Sequence, residues 1–252
     1  MENDKRIAVL IDADNVSDKY IKYIFDEISN LGTITYKRIY GDWTKPVLSS
    51  WKAVLLDYSI IPIQQYAYTT GKNATDSALI IDAMDILYSK NVEGFCIVSS
   101  DSDFTRLATR LRESGMLVIG MGEKKTPKSF IAACEKFKYL EVLAQEEQKD
   151  QENSLADQNG KPISLKEGIA NREELLRTIK VIVNESSDED GWINLSEVGD
   201  KLNRRYPDFD TRNYGFAKLS ALVKALKQFD TQLRRMSNSK VSYYIKNKEV
   251  RK

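Results

Sequence analysis

Histidine is missing altogether: none of the 252 residues is one. That excludes every mechanism needing an imidazole, from Ser-His-Asp and Cys-His nucleophiles to histidine acid–base ribonucleases and histidine-ligated zinc. Cysteine is almost as scarce, with Cys96 and Cys134 alone. Two isolated thiols in apolar surroundings build no thiolate zinc site; they read as buried free thiols, and a cytoplasmic protein is the expectation. No apolar run approaches the roughly 18–20 residues of a membrane span. Met1 to Arg6 leads into five apolar residues and then an aspartate, too short a run for a signal peptide. Hydrolytic chemistry in this chain must rest on carboxylates and a hard cation such as Mg²⁺ or Mn²⁺.

The carboxylates are placed to do so. Phe95-Cys96-Ile97-Val98 is an apolar run that ends in Ser99, Ser100, Asp101, Ser102 and Asp103, after which Phe104, Leu107, Ala108 and Leu111 fall at helical spacing. A buried strand thus delivers two acids where a helix begins, more than one cap requires. Ile7 to Ile11 followed by Asp12-Ala13-Asp14-Asn15 repeats the construction. Residues 5 to about 142 alternate such strands and helices in five β–α units, which argues for a parallel, doubly wound α/β sheet. Strands one and four are the natural neighbours where strand order reverses, so both acid turns converge there. Asp76, at the start of a helix capped by Thr75, joins them. Two-metal phosphoryl transfer needs several carboxylates from separate loops, and a cation relieves their mutual repulsion. Asp12 and Asp101 interrupt apolar strands and are the hardest to explain otherwise; for Asp76 and Asp103, helix capping is an alternative.

Charge divides the chain. Residues 1–145 hold 18 basic and 19 acidic side chains, whereas 169–252 hold 17 and 12. Between them, 146–168 has no periodicity and an acidic, Gln-rich composition that reads as a flexible linker. From residue 169 three helical patterns and a terminal hairpin (Leu233–Met236, Val241–Ile245) describe a small winged-helix α+β domain. A basic tail beside an acid-lined cleft suits nucleic acid. Lys72, Arg106, Lys124, Lys125 and Lys128 are candidates for holding phosphates at the cleft; Tyr40 and Trp43, near the end of strand two, read first as core or rim packing and second as stacking partners for an unpaired base. In the tail, Arg212, Lys218, Arg234, Arg235 and Lys240 are the candidate nucleic-acid contacts.

The motifs I-A-V-L-I-D-A-D-N-V, G-K-N-A-T-D-S-A-L-I-I-D, I-V-S-S-D-S-D-F and V-I-G-M-G, with F-I-A-A-C-E-K-F-K-Y-L, resemble the NYN family, PIN-like nucleases that include the bacterial LabA-like proteins. The resemblance implies a metal-dependent endoribonuclease with Asp12, Asp76, Asp101 and Asp103 as ligands of Mg²⁺ or Mn²⁺ and Asn15 supporting the first acid. G-W-I-N-L and Y-P-D-F-D-T-R-N-Y-G-F-A-K-L resemble the OST-HTH or LOTUS domain. That implies a module for single-stranded or structured RNA, or in some relatives for a helicase. Whether two chains pair as a homodimer stays open. Two rival functions stand beside the nuclease. One is an RNA-binding adaptor with a silent site. The other is a HAD-like phosphatase, whose D-x-D-x-[TV] signature Asp12-Ala13-Asp14-Asn15-Val16 also fits.

Overall fold

A computed structural model describes residues 4–66, 74–145, 172–235 and 241–248. The chain divides into two units, Met1–Ala156 and Asp157–Lys252. The expected linker, 146–168, lies outside the described residues.

The first unit is built on β1 (Arg6–Asp12), β2 (Thr33–Gly41), β3 (Ile61–Gln64), β4 (Gly94–Val98), β5 (Leu117–Gly122) and β6 (Lys136–Tyr139). They form one sheet in the order β3-β2-β1-β4-β5-β6, with every neighbouring pair parallel. Between the strands run α1 (Ile21–Ser29), α2 (Trp51–Asp57), α3 (Ala74–Ser89), α4 (Thr105–Glu113) and α5 (Lys128–Ala133), and residues 140–145 form α6. Parallel strands need crossover helices, which cover both faces, so central strands must be apolar on both. Ile7, Ala8, Val9, Leu10 and Ile11 are all 0% exposed. Burying each large side chain contributes about 1.5–3 kcal/mol. On one face Ile7, Val9 and Ile11 join Ile21, Ile24 and Ile28 of α1 and Trp51 of α2. On the other, α3 lies over β1 and β2.

Five strands were expected and six are found. The helix opening after Pro127 stops at Ala133, and Lys136–Tyr139 then pairs with β5. Phe137 and Tyr139 turn inward while Lys136 and Lys138 are only partly buried, an alternation too short to stand out beside the all-apolar inner strands. β3 spans only Ile61–Gln64, and α3 begins at Ala74, placing Thr75 in its first turn rather than before it.

The second unit holds α7 (Arg172–Ser186), β7 (Ile193–Asn194), α8 (Leu195–Arg205), α9 (Leu219–Leu226) and the hairpin β8 (Phe229–Arg235)–β9 (Val241–Asn247). Its sheet runs β7-β9-β8, antiparallel throughout. Ile193 belongs to β7 and not to the second helix, because Asn194 caps α8 by accepting from the Ser196 amide at 2.9 Å. Leu175, Ile179, Val198, Leu202, Val223 and Ile245 centre its core. Among the described residues no helix is long and apolar enough to cross a membrane.

Gly120, on β5, has no room for a side chain. A Cβ there would sit 2.6 Å from both Cys134 Sγ and Phe137 Cδ2. Gly120→Ala is expected to lower unfolding free energy by about 1–3 kcal/mol, the usual cost of overpacking, measured by urea denaturation; an unchanged midpoint would contradict this packing.

Candidate active site

The site is assembled at the carboxyl edge of the sheet, from four chain segments. Asp12 ends β1 on the same face as Ala8 and Leu10, the face that α3 covers. It is 0% exposed, which a carboxylate tolerates only when its oxygens are supplied with donors. The Asp14 amide donates to Oδ1 at 3.1 Å, while Asn15 Nδ2 and Ser99 Oγ donate to Oδ2 at 2.7 and 2.8 Å. Burial pushes the Asp12 carboxyl above the usual range, and these donors oppose that shift.

Ser99 joins the two acid turns. Its hydroxyl donates to Asp12 and accepts from the Asp101 amide at 3.1 Å. The turn leaving β4 is therefore set against the turn leaving β1, as the sequence led us to expect. Asp101 next caps a short 3₁₀ turn, Ser102–Phe104, accepting from the Asp103 amide at 2.9 Å. Ser100 Oγ accepts from the Glu123 amide at 2.8 Å, tying the β4 turn to the loop after β5. Gly122 makes that approach possible: a Cβ there would lie 2.6 Å from the Ser99 carbonyl oxygen.

Asp76 enters from the first turn of α3. Carboxylate oxygens of Asp76, Asp101 and Asp103 all lie within 4.8 Å of one another. Asp12 is not in that set, but its charge is felt there. Partial burial, then the charges of Asp12, Asp101, Asp103 and Asp14, push the Asp76 carboxyl up to about 6. Asp14 is drawn aside by Thr75 Oγ1 at 3.1 Å and by the Lys45 ammonium at 3.5 Å.

Sequence reading missed two contributors. Ser99 was visible only as one hydroxyl too many for a cap. Lys45 carried no local signal. Further along α3, Asp82 pairs with Arg38 and accepts from the Tyr40 hydroxyl.

The cationic candidates are more dispersed. Arg106, Lys124, Lys125 and Lys128 are exposed; Lys125 pairs with Glu123 at 2.9 Å. Lys72 and Lys240 lie outside the described residues. Tyr40 is 0% exposed, and Trp43 is half-buried with its Nε1 donating to the Ile63 carbonyl at 3.1 Å. Both belong to the packing around β2 and β3, and Tyr40 offers no open ring for a base. In the second unit Arg212 is held by Asp210 at 2.7 Å. Arg234 lies over the rings of Tyr244 and Trp192, at 4.6 and 5.4 Å from their centroids, and pairs with Asp188 at 3.2 Å. Lys218 and Arg235 are exposed.

A parallel sheet with acids at its strand-order reversal, followed in the sequence by a helix-and-wing unit, defines a class. The NYN domain model matches residues 6–141, more than half of the chain, and the chain belongs to the NYN family, with a PIN-like α/β fold. The OST-HTH/LOTUS domain model matches residues 172–241. A nuclease-type domain and an RNA-binding-type domain are thus both present. No curated protein matches the chain. A crystal structure of a protein of unknown function from Vibrio parahaemolyticus is 17% identical, with 55% of this chain and 94% of that one covered and a TM-score of 0.47. A solution structure of an uncharacterised protein from Nitrosomonas europaea is 31% identical, covering 38% of this chain and 92% of that one, with a TM-score of 0.32. The phosphatase signature finds no support in the geometry, since its nucleophile would be Asp12, which is fully buried and holds three donors.

A carboxyl whose folded pKa is raised costs stability once it ionises. Without metal, the Asp76 contribution should fall as pH rises from its ordinary 3.8 through about 6. In EDTA at pH 7.5, Asp76→Asn is therefore expected to be more stable than wild type by about 1 kcal/mol, allowing for solvent screening of a half-exposed group. Thermal melts with and without Mn²⁺ check this: Mn²⁺ should stabilise the wild type and reverse the order, and a less stable variant in EDTA would contradict it.

Proposed function

We propose that this chain is a Mg²⁺- or Mn²⁺-dependent endoribonuclease, hydrolysing RNA phosphodiester bonds at the acid cluster while its C-terminal unit binds the substrate RNA. The observation that carries the reading is the meeting of Asp76, Asp101 and Asp103 within 4.8 Å. They arrive from a helix and a strand-end turn that the fold presses together at the carboxyl edge of a doubly wound sheet. Such a cluster of hard oxygen donors, with no imidazole or thiolate nearby, fits Mg²⁺ or Mn²⁺ and no softer metal. The repulsion that pushes Asp76 upward is the strain a cation relieves. Bound by these three acids, the metal would acidify a water molecule and screen the phosphate charge.

The remaining residues have separable tasks. Asp12, with Asn15 and Ser99, sets the backbone of both acid turns and adds negative charge behind the cluster. Among the described residues Oδ1 of Asp12 accepts from the Asp14 amide alone, which leaves a second lone pair on it for a proton or a cation. Arg106, Lys124, Lys125 and Lys128, on α4 and after β5, supply counter-charge for the phosphates on either side of the bond cut. Lys218, Arg234 and Arg235 of the second unit bind the RNA. Two buried free thiols suit work in the reducing cytoplasm.

Labelled single-stranded RNA, incubated with the full chain in Mn²⁺ or in EDTA, tests the reading. Cleavage is expected in Mn²⁺ alone. Asp101→Asn should lose more than the roughly 100-fold that deleting an outer partner of a metal ligand costs, while RNA affinity stays within a few-fold of wild type in a gel-shift titration. Cutting that persists in EDTA, or in the variant at the wild-type rate, would contradict it.

A further inference from the structure

Asp82 sits mid-way along α3, partly buried, and its two oxygens are both engaged by β2. Oδ1 pairs with the Arg38 guanidinium and Oδ2 accepts from the Tyr40 hydroxyl. Tyr40 is itself 0% exposed. On the sheet, Tyr40 is the register partner of Asp12, and Arg38 that of Leu10. The same helix carries Asp76 six residues earlier, about 9 Å nearer its start and roughly 240° around its axis. One polar knot therefore connects the helix that brings Asp76 to the strand lying beside Asp12.

We infer that Asp82, Arg38 and Tyr40 are positioning residues for the metal cluster, holding α3 in the roll and slide that bring Asp76 to Asp101 and Asp103; this rests on the metal reading above. The alternative is that α3 is placed by its apolar face alone. That face offers Leu79, Ala83, Ile86 and Leu87. Apolar burial is non-directional, and the middle residue is an alanine with little to interlock. A roll of about 20° would move a carboxylate tip, roughly 5–6 Å from the helix axis, by about 2 Å. Metal ligands tolerate only about 0.2 Å. Hydrogen bonds at a carboxylate fix angle as well as distance, so two of them from neighbouring residues of one strand remove both freedoms. The carboxylate that does this touches neither metal nor substrate.

The test is Mn²⁺ affinity of the full chain, by calorimetry or by the free-ion EPR signal, in Tyr40→Phe and Asp82→Asn. Tyr40→Phe deletes one hydroxyl from a buried ring and keeps its volume. Both variants should bind Mn²⁺ about 10- to 100-fold more weakly, the range for losing an outer partner of a metal site, with RNA affinity unchanged. Two controls separate positioning from stability. Gly120→Ala weakens the fold through β5, and Asp85→Asn removes an exposed acid from the same helix; neither should move Mn²⁺ affinity. Wild-type binding with unchanged affinity in both triad variants would overturn this inference alone. Failure of both variants to fold would also overturn it, making the knot a stability element. Absence of Mn²⁺ binding by the wild type would overturn the metal reading and this inference with it.

Discussion

Three carboxylates held within 4.8 Å of one another repel, and the structure of the first unit is organised to keep them there. Nothing in the acids themselves favours the arrangement. It is imposed by buried strands on either side of the strand-order reversal, whose apolar side chains gain far more from burial than the cluster loses. Without a counter-ion the cluster lowers its charge by holding the Asp76 proton up to about pH 6. With one, it becomes a cation site.

Position in the sheet explains why the acids meet there. In parallel, doubly wound sheets the loops on the two sides of the reversal diverge and leave a crevice at the carboxyl ends. Here β1 and β4 flank that point. A single hydroxyl, Ser99 Oγ, bonds the two turns across it, so the crevice is closed at its base by a hydrogen bond and open above to solvent. Asp12 lies at the base and Asp103 at the open rim. Burial therefore grades from Asp12 through Asp101 to Asp103.

Much of this was legible in the sequence because the informative patterns are local. An apolar run cut off by acids marks a strand end, and two such runs mark the reversal. The winged-helix unit was equally readable from helical spacing followed by alternation. What escaped was long-range or weakly patterned. The Ser99–Asp12 bond joins residues 87 apart, and the Arg38–Asp82 pair spans 44; no window contains either. Lys136–Tyr139 is short and half polar, so β6 gave no strand signal after the preceding helix. Tyr40 and Trp43 could be read as core, rim or stacking rings, because aromaticity shows in a sequence and burial does not; Tyr40 is core. Arg212 is the instructive case: its partner Asp210 stands two residues away, so that pairing lay within local reach although the cluster of positive charge drew attention first.

The central claim is that Asp76, Asp101 and Asp103 hold a divalent cation. A crystal of the full chain grown with Mn²⁺, with data collected near the manganese absorption edge, tests it most directly. The account requires an anomalous peak in contact with carboxylate oxygens of those three residues. A saturated crystal with no peak there, or with manganese bound only elsewhere, would contradict it.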